Sequence, residues 1–105
     1  MAQTPKTAEK CYLVGTYVEQ LELDSIRESL SRMGITRVNV TEAKEYPPFS
    51  RHGIASLKEP RPKLKLEVMV EEGKQDSVAT IFSDSARIRG VESSVWYHEV
   101  SKYKP

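Results

Sequence analysis

Cysteine is nearly absent from this chain: Cys11 is the one thiol among 105 residues. That excludes an internal disulfide and any multi-cysteine metal cluster. Cys11 falls in the first apolar stretch and reads as a small core residue. Long apolar runs are missing too, so no segment has the ~20 residues that span a bilayer, and no membrane insertion is expected. Residues 1–10, MAQTPKTAEK, lack the apolar stretch of a secretory signal, which sets the expectation of a cytoplasmic protein. Charge of one sign is not in excess: 16 basic residues meet 15 acidic ones, for a net +1. A dedicated nucleic-acid binder would show a strongly basic face, so no nucleic-acid partner is expected. There is no Walker A loop and no G-x-G-x-x-G, and no serine stands in a nucleophile elbow. The two histidines, His52 and His98, lie in different elements. A catalytic site needs convergent groups, and none emerge, so the chain is not expected to be an enzyme.

What is present is most legible in residues 23–42, LDSIRESLSRMGITRVNVTE. Asp24 or Ser25 is positioned to cap a helix, and Ser25 with Glu28 has capping-box spacing. Ile26, Leu30 and Met33 recur at i, i+4 and i+7 as one apolar stripe. Gly34 supplies the left-handed residue that ends a helix. Val38 and Val40 then alternate with Asn39 and Thr41, the period of a strand.

Upstream, residues 1–10 read as a flexible tail and 11–105 as a single domain. The first strand is expected over 11–20. Its two alternating sets, Cys11, Leu13, Gly15, Tyr17 and Tyr12, Val14, Thr16, Val18, are both largely apolar, so both faces need cover. Residues 43–62, AKEYPPFSRHGIASLKEPRP, hold four prolines and no sustained period, and they read as a long loop. A third strand is expected over 63–71, with Leu64, Leu66, Val68 and Val70 on one face. A second helix follows over about 74–86, carrying Val78, Ile81, Phe82 and Ser85. The last strand is expected over about 92–102. The order β-α-β-loop-β-α-β is an α+β, ferredoxin-like βαββαβ domain. Two helices cover one sheet face, and in a chain this short another subunit must cover the second.

The segment LD-x-IRE-x-L-x-x-MGIT-x-x-NVTE-x-K resembles the first helix and second strand of PII signal-transduction proteins. A second block, RPKLKLEVMVEE at 61–72, is similar to the PII third strand with its Pro-Lys lead-in. A third, VWYHEV at 95–100, matches the place of the last core strand. The resemblance covers about residues 12–103. It implies a homotrimer with inward-facing sheets, adenine-nucleotide sites between subunits, and a long loop over 45–62 that signals to a membrane transporter or a metabolic enzyme.

Carried over by position, the resemblance implies nucleotide contacts from Asn39 and Met69 near the base and from Lys44 and Lys63 at the loop's foot. Arg87, Arg89, Gly90, Ser93 and Ser94 fall around the phosphate loop. Arg51 and His52, near the loop tip, are placed to meet an anion. Each has a plainer reading. Arg87 and Arg89 suit a solvated helix C-terminus, Lys63 and Lys65 suit a strand's outer face, and Trp96 and Tyr97 suit core or interface. The departures from the family pattern also carry meaning. Glu45 replaces a glycine at the loop's start, Phe49 falls near the glutamine that holds Mg²⁺ and 2-oxoglutarate, and Val91-Glu92-Ser93-Ser94 lacks the phosphate-loop lysine. No metal site is implied. The effector expected is ADP or AMP, with bicarbonate or another small anion, as in the carboxysome-associated PII subgroup. The alternative is a structural or metal-linked trimer of the copper-tolerance type.

Overall fold

A computed structural model describes residues 9–46, 60–88, 90 and 94–102. It holds β1 (Glu9–Val18), a 3-10 turn (Gln20–Glu22), α1 (Leu23–Arg32), β2 (Asn39–Glu45), β3 (Arg61–Glu71), α2 (Gln75–Ile88) and β4 (Val95–Lys102). The four strands form one sheet in the order β2-β3-β1-β4, and every pairing is antiparallel. This is the expected α+β, ferredoxin-like arrangement.

The register decides which residues share a face, because side chains alternate along a strand. Tyr12, Val14, Thr16 and Val18 of β1 stand opposite Val70, Val68, Leu66 and Leu64 of β3. This is the helix side. Val14, Val18, Leu66, Val68 and Val70 pack there against Ile26 and Leu30 of α1 and Val78 and Phe82 of α2, all nearly sealed from water. On the other face Leu13 lies beside Met69, and Gly15 beside Glu67 and Trp96. Tyr17 and Met69 of that face are about half exposed. The second face expected from β1 is therefore apolar in part, with Leu13, Tyr17 and Met69 beside Lys65, Glu67 and His98.

Several boundaries differ from the sequence expectation, each for a local reason. β1 begins at Glu9 because Glu9 and Lys10 pair with Lys102 and Ser101, and it ends at Val18. β2 and β3 run further into the proline-rich stretch: Ala43, Lys44 and Glu45 pair with Lys63, Pro62 and Arg61. β1 has already stopped at the Val18–Leu64 pair, so Pro62 has a strand on one side only, the edge-like setting that proline tolerates. α2 runs to Ile88, two residues beyond the expected end. β4 starts at Val95 rather than near Glu92.

The helix start is also displaced. Ser25 lies inside α1 and is exposed, so the expected Ser25–Glu28 box does not form. The cap sits one turn earlier. The Glu19 N–H donates to the Glu22 carboxylate at 2.8 Å, and the Glu22 N–H donates to the Glu19 carbonyl at 3.0 Å. Glu22 is buried, and the Ser85 hydroxyl of α2 reaches its carboxylate at 3.4 Å. A buried carboxylate needs such partners, and here they tie the start of α1 to α2. The helix stop is as expected. Gly34 has φ +83°, its N–H donates to Ser31, and the Ile35 N–H donates to Leu30, the paired bonds of a Schellman end.

Candidate functional site

An antiparallel βαββαβ chain brings three connections to one end of its sheet. Here these are the turn after β1, the connection from β2 to β3, and the turn from α2 to β4. Their residues carry most of the candidate positions. Lys44 lies near the end of β2 and Lys63 near the start of β3, one residue out of direct register. Ser94 is drawn to the same end because the Thr16 hydroxyl of β1 donates to its carbonyl at 3.1 Å. Arg87 and Gly90 close α2 beside it, with the Gly90 N–H on the Arg87 carbonyl at 2.9 Å.

A cleft of about 920 Å³ opens at this end. Glu19, Gln20 and Leu21 form one wall. Glu42, Ala43 and Lys44 of β2 and Arg61, Pro62, Lys63 and Leu64 of β3 form the rest. Its lining mixes the apolar Leu21, Ala43, Pro62 and Leu64 with charges of both signs, which suits a small polar ligand held by a few oriented groups. The Lys63 ammonium stands 3.7 Å from the Glu19 carboxylate. Lys65 stands 3.9 Å from Glu67. Arg87 is committed more tightly, at 3.0 Å to Asp84 on its own helix, and is exposed. That geometry is also what a dipole-complementing helix end looks like.

Asn39 and Met69 lie elsewhere in the sheet. Met69 is six residues along β3 from Lys63, roughly 20 Å at strand rise, and Asn39 is five residues along β2 from Lys44, roughly 17 Å. Within one chain they do not line the same cleft as the two lysines. Arg89, Ser93, Arg51 and His52 lie outside the described residues. Among the described residues no group of three His, Cys, Asp or Glu side chains is placed to hold a metal ion. No described helix is long and apolar enough to cross a membrane.

Sequence reasoning overlooked Glu19, Leu21 and Arg61. Arg61 had a readable signal. Arg61, Lys63 and Lys65 alternate along β3, so strand period alone puts three cations in one row. Glu19 had none, since its pairing with Lys63 depends on how β1 and β3 align.

No protein-family model matches the chain, and no curated protein matches it. Among solved structures it is similar to a PII protein of Arabidopsis thaliana in a complex with citrate. The two share 21% identity with a TM-score of 0.69, over 89% of this chain and 79% of that one. At that identity the likeness establishes the fold.

Proposed function

We propose that this chain is a PII-like regulatory protein without catalytic activity. It assembles as a homotrimer whose open sheet faces turn inward. It binds ADP or AMP in the clefts between subunits, with bicarbonate or another small anion, and signals through residues 45–62 to a transporter or metabolic enzyme. The observation that carries the reading is an open cleft at one end of a PII-like sheet, lined by Lys44 and Lys63, with Ser94 held at the same end of the sheet by Thr16. Ammonium groups there form charge-assisted bonds to phosphate oxygens. Asn39 and Met69 sit on the open face, so in a trimer they would meet a ligand held by a neighbour's cleft. The PII structure's citrate supports a small anionic effector. The missing glutamine and phosphate-loop lysine favour ADP or AMP over Mg-ATP.

Thermal melting with AMP, ADP, Mg-ATP and bicarbonate tests the reading. A ligand that binds only the folded state at a hundred times its Kd adds about 2.7 kcal/mol, several degrees in Tm. The expected order is ADP and AMP above Mg-ATP. Unchanged melting with every nucleotide, or a stable monomer by light scattering at micromolar concentration, refutes it.

A further inference from the structure

The open face of the sheet divides by chemistry. Its middle is mixed, where Leu13 sits between Met69 and His98 across three strands and Glu67 lies beside Gly15. Its loop end is aromatic and cationic. The rings of Tyr17 and Trp96 are 5.4 Å apart at 45°. The Lys65 ammonium stands 6.0 Å from the Trp96 ring, and Lys65 is the register partner of Tyr17. Gly15 makes room for the indole: a Cβ there would fall 2.4 Å from Cζ2 and 2.5 Å from Cε2. Trp96 therefore reaches inward from its edge strand, across the backbone of β1 and toward Tyr17. Lys63 follows on the same face, roughly 7 Å further along β3.

We propose that Tyr17 and Trp96 form a stacking platform for the base of a nucleotide, with Lys65 and Lys63 receiving its phosphates. This rests on the nucleotide reading above and moves the base from Met69 onto β1 and β4. Every nucleobase presents a π face, and aromatic side chains on a sheet are a sequence-tolerant surface for it. The two lysines are available for exchange. Their carboxylate partners stand at 3.9 and 3.7 Å, longer than the 2.7–2.9 Å of a charge-assisted hydrogen bond. A phosphate could replace those contacts with shorter ones. An apolar protein surface laid over this end would strip both ammonium groups of water and return no anion. A planar anion fits the aromatic and cationic halves together.

Trp96 is the single tryptophan of the chain, so its fluorescence reports the platform directly. The full chain is titrated with ADP, adenosine and inorganic pyrophosphate, following emission and heat in parallel. ADP and adenosine are expected to quench Trp96 saturably, and pyrophosphate is not. Trp96→Ala should weaken ADP on the order of 10- to 100-fold, the scale of base–aromatic stacking, while Trp96→Phe retains most of the affinity. Lys65→Gln should weaken ADP and spare adenosine. Binding heat for ADP with unchanged emission and parental affinity in Trp96→Ala overturns the platform and leaves the nucleotide reading standing. No heat and no quenching with ADP overturns both. Emission that follows protein concentration and ignores nucleotide also overturns it, because neighbouring copies then cover the loop end as well as the middle of the face. Where Trp96→Ala fails to fold, Tyr17→Ala and Lys65→Gln carry the same comparison.

Discussion

Replacing Gly15 by alanine adds one methyl group where Trp96 already lies. The new Cβ would meet Cζ2 at 2.4 Å, and ordinary contact begins near 3.4 Å, so the indole must retreat by about 1 Å or leave its place. Retreat is resisted because the same ring contacts Tyr17 and lies within reach of Lys65. Overpacking of this kind costs about 1–3 kcal/mol, and a lost aromatic pair adds about 0.5–1.5 kcal/mol. One effect opposes it: alanine restricts the unfolded chain and returns about 0.4–1 kcal/mol. The net expectation for Gly15→Ala is about 0.5–4 kcal/mol of destabilisation, at roughly 4–8 °C in Tm per kcal/mol for a domain of this size. Trp96 emission should shift to the red as the ring enters water. The clash term is isolated by repeating the change in a Trp96→Ala background, where the methyl group meets open space. There the substitution should be neutral or slightly stabilising, and the cycle should yield a coupling of about 1.5–4.5 kcal/mol, the clash and the lost ring contact together. Chemical denaturation of the four proteins measures it. Equal cost in both backgrounds would refute the packing of Trp96 across Gly15.

Gly34→Ala should cost about 1–2 kcal/mol by chemical denaturation. The cause is purely backbone, since φ is +83° and nothing lies within 4 Å of the would-be Cβ. Glu22→Ala should cost about 1–3 kcal/mol, because it strands the Glu19 N–H and the Ser85 hydroxyl around a buried position, while Ser85→Ala should cost about 1 kcal/mol or less. The carboxylates of Glu72 and Glu99, with Tyr12, hold Lys10 above the ordinary lysine value of 10.5. A raised folded value means the folded state binds the proton more tightly, so this contribution is whole below pH 10.5 and fades as pH rises through the folded value. Lys10→Gln should flatten that alkaline decline in a pH series of melts, and a slope identical to the parent would refute the link.

Much of the fold was legible because periodicity survives in the sequence. Leu64, Leu66, Val68 and Val70 alternate and indeed face the helices, and Ile26 and Leu30 are buried at helical spacing. Gly34 ended α1 as its backbone chemistry requires. The helix start was misread because Ser25–Glu28 and Glu19–Glu22 have equal spacing on paper. Burial decided between them, and Glu22 alone has a hydroxyl from α2 beside it. The strand ends were misread because proline was weighed as a breaker everywhere. Pro62 sits where β3 has lost β1 as a neighbour, and there proline does little harm. Of the residues that line the cleft, Lys44 and Lys63 were named from the sequence. The bond from Thr16 to Ser94 links residues 78 apart, and no local pattern announces it.

The same reasoning explains why the candidate residues collect at one end of the sheet. The core fixes the sheet, and the sheet's register fixes which side chains arrive together at its rim. The end of β1, the end of β2 and the starts of β3 and β4 all lie at that rim. At that rim the alternating cations Arg61, Lys63 and Lys65 share a face with Tyr17 and Trp96, while the helix face of the same strands stays apolar. A one-residue slip of β3 would carry the three cations into the core and Leu64 and Leu66 into water. The hydrophobic pattern that holds the fold therefore also holds the site in place. Substitutions in the buried row, such as Leu66→Ala, should cost about 2–5 kcal/mol of stability. Lys65→Gln should alter ligand affinity and leave the fold's stability within about 1 kcal/mol, since its pair with Glu67 is partly exposed and loose. A Lys65→Gln protein that unfolds as readily as Leu66→Ala would contradict that separation.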